Sequence, residues 1–165
     1  MSNQSFFASV VKGLTMNPFM LPAPERISAW GVFRDSLPAL PEDEQINKVA
    51  EFWSQCPYSN WTLDPDNPKE WLSVWEMLHE GEYCRNAIAV GMEATLRWSG
   101  WDASRLEIVM IRNITDNDRF FVVKIDGKYV INYSYAETKN LSDVEHGIQV
   151  LYSYRWAGRS YKKSE

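Results

Sequence analysis

Trp71-Leu72-Ser73-Val74-Trp75-Glu76-Met77-Leu78-His79-Glu80-Gly81-Glu82-Tyr83-Cys84-Arg85-Asn86-Ala87 closes one helix at Gly81 and opens a longer one at Cys84. A thiol at a helix N-terminus sits among backbone N–H groups that lack helical partners, and their dipole favours the thiolate. The thiolate is the nucleophilic form, so this is where a cysteine hydrolase would carry its chemistry. Beyond Cys84, the residues Ile88, Gly91, Thr95 and Trp98 continue one helical face, and Ser99-Gly100 stops it.

Working outward, Asn67 reads as the cap of the preceding helix, with Pro68 at its first position and Glu70 completing a capping-box-like start. Trp71, Val74, Trp75 and Leu78 would form its buried face. Further upstream, Pro41-Glu42-Asp43-Glu44 gives an acidic first turn, and Ile46, Val49, Ala50 and Trp53 an apolar stripe that ends before Cys56-Pro57. Downstream the period changes at Leu106. The stretches 106–111, 120–125, 129–135 and 150–156 read as strands, and Asp126-Gly127 joins the middle pair as a hairpin. Helices followed by an antiparallel sheet make an α+β domain.

Trp61 and Pro68, the helix opened by Cys84, and two strands joined by Asp126-Gly127 together resemble the transglutaminase-like cysteine proteases, over roughly residues 60–135. The resemblance implies a transglutaminase/papain-like core with N-terminal helices packed on an antiparallel sheet. In that family a Gly-(Asp)-Cys motif opens the central helix. Gly81-Glu82-Tyr83-Cys84 matches it with one extra residue, which makes Cys84 the catalytic position. The family's His stands on the next strand but one, where this chain has Phe121-Val122-Val123-Lys124, so that Phe121 takes the His slot. Its Asp follows an aromatic residue on the second strand of the hairpin, and Tyr129-Val130-Ile131-Asn132 puts Asn132 there. Strand alternation sets Phe121, Val123 and Ile125 on the inner face, with Val122 and Lys124 on the outer one toward water. A phenyl ring cannot take a proton from a thiol. Glu80 and Glu82 flank the Cys, and negative charge there works against a reactive thiolate. The only histidines, His79 and His146, read as surface or capping residues.

Residues 1–41 read differently. Phe6, Phe7, Val10, Val11 and Leu14 fall at helical spacing, and Pro18, Pro22, Pro24, Pro38 and Pro41 then punctuate an apolar sequence. The expectation is an extended arm over 1–41, attached to an α+β domain over 42–165. Phe6, Phe7, Phe19 and Trp30 would be its anchors on protein partners.

Composition narrows the function classes. The net charge is −5 and no Lys/Arg stripe runs along any element, which argues against nucleic acid; Arg155, Arg159, Lys162 and Lys163 read as a solvated tail. Cys56 and Cys84 permit one disulfide but no framework, and Cys56 reads as a buried or neutral thiol. No C-x-x-C, H-x-x-x-H, P-loop or G-x-G-x-x-G spacing occurs, so neither metal nor cofactor is expected. No signal peptide is evident, and no apolar run reaches the ~18 residues of a membrane span. The expected location is reducing cytosol, or a particle assembled there such as a virion.

These features lead to one expectation and one alternative. The chain is expected to be a non-catalytic structural or interaction module in a larger assembly, for instance a phage tail or neck. The alternative is an active cysteine hydrolase or acyl transferase, in which His79, His146 or a partner's residue serves Cys84 as base.

Overall fold

Prolines set the course of the N-terminal helices. In the computed structural model, which describes residues 16–164, Pro22 caps helix α1 (Ala23–Ser36) and Pro24 lies in its first turn. A missing N–H at these positions removes no helical bond. Pro38 lies in a 3-10 turn (Leu37–Ala39), and Pro41 caps α2 (Glu42–Ser54). The extended arm is thereby corrected for its described part, because its prolines start helices rather than prevent them. Phe19 and Trp30, expected as anchors on protein partners, are also corrected: both are buried in the chain's own core. Phe19 meets Phe52, Trp53 and Tyr83 with ring centroids 5.2, 5.3 and 5.4 Å apart. Phe6 and Phe7 lie outside the described residues.

Helix α3 (Val74–Glu80) is shorter than its sequence pattern. The capping box expected at Asn67 forms at Ser73, whose hydroxyl accepts from the Glu76 N–H while the Glu76 carboxylate accepts from the Ser73 N–H, both at 3.2 Å. Pro68–Glu70 is a separate 3-10 turn. Val74 and Leu78 are buried as expected, while Trp75 reaches the surface. Arg26 of α1 closes the end of α3 by donating to the Leu78 and His79 carbonyls at 2.7 and 3.0 Å, which satisfies acceptors that a helix C-terminus leaves open.

The central helix α4 (Arg85–Trp98) starts where Cys84 predicts. It lies against β1 (Leu106–Asn113) and β2 (Arg119–Ile125). Gly91 lets α2 approach: a Cβ built there would stand 2.5 Å from Cη2 of Trp53. Trp53 is fully buried and its indole N–H is held by Thr95, so the ring has no easy retreat. In an exposed helix Ala is favoured over Gly by ~1 kcal/mol. Here Gly91→Ala is expected instead to destabilise by about 1–3 kcal/mol through overpacking. A urea midpoint at or above that of the parent would show that Trp53 can move.

The remaining strands are β3 (Tyr129–Ile131), β4 (Lys139–Asn140), β5 (Ile148–Trp156) and β6 (Tyr161–Lys163). They complete an antiparallel sheet in the order β4-β3-β2-β1-β5-β6. The hairpin turn is as read, with Asp126 and Gly127 both left-handed at φ 56° and 63°. Phe121, Val123 and Ile125 face the helices. The outer face is not simply wet: Val122 is buried with Phe120, Ile111 and Val130 beneath a short helix α5 (Leu141–Val144). Lys124 is half-buried and pairs with Glu107 at 2.9 Å.

The β5–β6 hairpin is fastened to α4 by a buried polar cluster. Tyr161 donates to Glu93 at 2.6 Å, Arg97 pairs with Glu93 at 3.2 Å, and Trp156 packs under the Arg97 guanidinium. Burial pushes the Tyr161 phenol well above its ordinary range, with the Glu93 charge adding to it. The phenol is thus a lasting donor to a carboxylate that would otherwise be costly to bury. Among the described residues no helix is long and apolar enough to cross a membrane.

Candidate functional site

Cys84 is the N-cap residue of α4, with extended backbone dihedrals, and its sulfur accepts from the Ala87 N–H at 3.4 Å. A second backbone donor comes from outside the helix, the Leu63 N–H, also at 3.4 Å. The strand-like approach to Cys84 is fixed one residue earlier. Ser59 donates from its N–H to the Tyr83 carbonyl at 2.8 Å, and the Tyr83 N–H returns to the Ser59 hydroxyl at 3.0 Å. Cys84 is partly exposed and lines a cleft of about 340 Å³ together with Trp61, Arg85, Asp118, Arg119 and Phe120.

Of the sequence-predicted partners, Phe121 does not enter this cleft. Its ring is fully buried against Trp71 and Tyr154, with centroids 5.5 and 6.1 Å away. The β2 residues that line the cleft with Cys84 are Arg119 and Phe120. Alternation from Phe121 puts Arg119 on the same strand face, so the period that pointed to Phe121 carried a signal for Arg119 as well.

Asn132 follows β3 with a left-handed backbone, φ 69°, a conformation that Asn tolerates better than most residues. Its amide donates to two main-chain carbonyls, Phe121 at 2.8 Å and Arg85 at 3.0 Å. Asn86 completes the clamp by accepting from the Phe121 N–H at 2.9 Å. The two amides therefore stitch the N-terminus of α4 to β2 and hold Cys84 at the mouth of the cleft. Sequence reading missed Asn86, whose partner is a backbone group and leaves no pattern to find.

The histidines stand elsewhere. His79 is exposed near the end of α3, with its Nδ1 3.6 Å from Glu80. His146 lies in the 3-10 turn Glu145–Gly147 before β5. Neither lines the cleft, and neither do Glu80 and Glu82. Arg85 also lines the cleft: it donates to the Tyr133 carbonyl at 3.1 Å, faces Asp118 at 3.5 Å and lies over the Phe120 ring. Cys56 is buried, as expected, and burial pushes its thiol far above the ordinary range.

Comparison with known proteins rests on the fold. No protein-family model matches the chain, and no curated protein does. Among solved structures it is similar to LapG of Legionella pneumophila, a transglutaminase-like cysteine protease, in the calcium-bound form. The TM-score is 0.67 at 20% identity over 98% of this chain and 90% of that one. The fold is transglutaminase-like. Two further LapG structures agree. One gives a TM-score of 0.67 at 19% identity, over 99% of this chain and 90% of that one. An EGTA-treated form gives 0.66 at 19%, over 96% and 87%. The likeness bears out the helices-on-sheet architecture and leaves the chemistry to the residues of this chain.

Proposed function

We propose that the chain is a non-catalytic binding module built on a transglutaminase-like fold, working through protein partners in a larger assembly. The observation that carries this reading is the use of Asn132. In a Cys–His–Asn arrangement the amide would orient an imidazole. Here both of its described bonds go to main-chain carbonyls, and neither histidine of the chain lines the Cys84 cleft. One of the LapG structures similar to this one is calcium-bound and another is EGTA-treated. Among the described residues no three His, Cys, Asp or Glu side chains come together to hold a metal.

A second reading keeps Cys84 as a nucleophile whose base comes from a partner. What favours it is the sulfur's access to the cleft and its pair of backbone donors. Turnover separates the two readings. The full chain, incubated with protein and peptide substrates and with hydroxylamine as acyl acceptor, is expected to give no product above that of Cys84→Ala when followed by mass spectrometry. Turnover lost in Cys84→Ala would overturn the non-catalytic reading.

A further inference from the structure

Two clefts meet at the N-terminus of α4. The one that holds Cys84 and a larger one of about 420 Å³ share Tyr58 and Arg85 in their walls, so they adjoin across these two side chains as the halves of a composite groove. The larger half has an apolar floor of Trp53, Ile88 and Met92. Tyr58 and Tyr135 stand at its rim, 66% and 79% exposed. Exposed rings beside an apolar pocket give large contact area for little lost side-chain freedom, which is why Tyr recurs at recognition sites.

The smaller half offers main chain. Trp61 and Thr62 form part of its wall with no regular secondary structure, and among the described residues their backbone groups take no backbone partner. Both ends of that stretch are nevertheless fixed, by Ser59 on Tyr83 and by the Leu63 N–H on the Cys84 sulfur. A tethered strip with open N–H and C=O groups suits pairing with another extended backbone. Charge adds a preference. Arg85 is already engaged by Asp118, whereas among the described residues no carboxylate pairs with Arg119 in the same cleft.

We propose that this groove binds an extended segment of a partner protein, with an acidic side chain beside Arg119 and a large apolar or aromatic side chain in the larger cleft. The inference rests on the reading of the chain as a binding module and names the chemistry of its partner.

Fluorescence polarisation of labelled hexapeptides with the full chain tests it, using one peptide with Asp and Phe separated by two residues. Companion peptides replace Asp by Lys, or Phe by Ala. The Asp–Phe peptide is expected to bind about tenfold tighter than either companion, which corresponds to about 1.4 kcal/mol. Arg119→Glu should invert the Asp/Lys preference, and Tyr135→Ala should erase the Phe/Ala difference. Both side chains are exposed, and matching urea midpoints would confirm intact folding. Equal binding of the Asp and Lys peptides, indifference to Arg119→Glu, or no binding at all would overturn the groove. Mass spectra of the same mixtures keep the two readings apart. A peptide bound with the stated preference but cut would support the groove and overturn the non-catalytic reading. A peptide neither bound nor cut would overturn the groove alone.

Discussion

Thr95→Val should lower the stability of the folded chain by about 2–6 kcal/mol, ~1–3 for each indole N–H left buried without an acceptor. Thr95 is fully buried on α4, and its hydroxyl serves three groups. It accepts from the indole N–H of Trp30 on α1 and of Trp53 on α2, each at 3.0 Å, and donates to the Gly91 carbonyl at 2.6 Å. A hydroxyl has one proton and two lone pairs, so its capacity is filled. Valine keeps the volume and the branching, and the two residues have similar helix propensity. Packing is therefore nearly unchanged and the polar loss stands alone. Both indoles are fully buried, which keeps water from replacing the lost acceptor. Urea unfolding with a shared slope measures the effect, and Thr95→Ser, which keeps the hydroxyl, should recover most of it. A Val variant as stable as the Ser variant would mean that the tryptophans find other acceptors.

The same junction shows what the sequence revealed and what it hid. Trp53 and Thr95 stood on the right helical faces because a period of 3.6 residues reports burial directly. Their shared hydrogen bond did not show, since it joins residues 42 apart in the chain. The change of period at Leu106 and the Asp126-Gly127 turn read correctly, because local sterics alone demand left-handed residues there. The N-terminal segment was misread for an equally physical reason: a proline excludes helix before it yet suits the first turn after it. Strands β4 and β6, of two and three residues, are too short to carry a period. At the site, Cys84 was legible from the helix start. Arg119 could have been found by extending the alternation from Phe121. The roles of Asn86 and Asn132 could not, because main-chain acceptors are present at every position and mark none.

Asn132→Asp, which installs the family's expected residue, is predicted to destabilise the chain by about 2–4 kcal/mol, since two carbonyl acceptors lose their donor and face a charge instead. The acceptors are the Phe121 and Arg85 carbonyls, 2.8 and 3.0 Å from the amide nitrogen. A carboxylate has no proton to offer either of them. One effect opposes the loss, and one that could have added to it is absent. Asp tolerates the left-handed backbone about as well as Asn, so the substitution adds little strain. The N-terminus of α4 also favours a negative charge, by about 0.3–1 kcal/mol. That gain is smaller than the cost of two lost bonds at half-buried positions, so the net sign is destabilising. Protonation supplies one donor, so the gap between Asn132→Asp and the parent should narrow as pH falls through the carboxyl range. Paired urea titrations at neutral and acidic pH measure it. An Asp variant equal to the parent at neutral pH would show that the amide does not hold α4 to β2. The fit of Asn132 to this site would then have to come from a role beside Cys84.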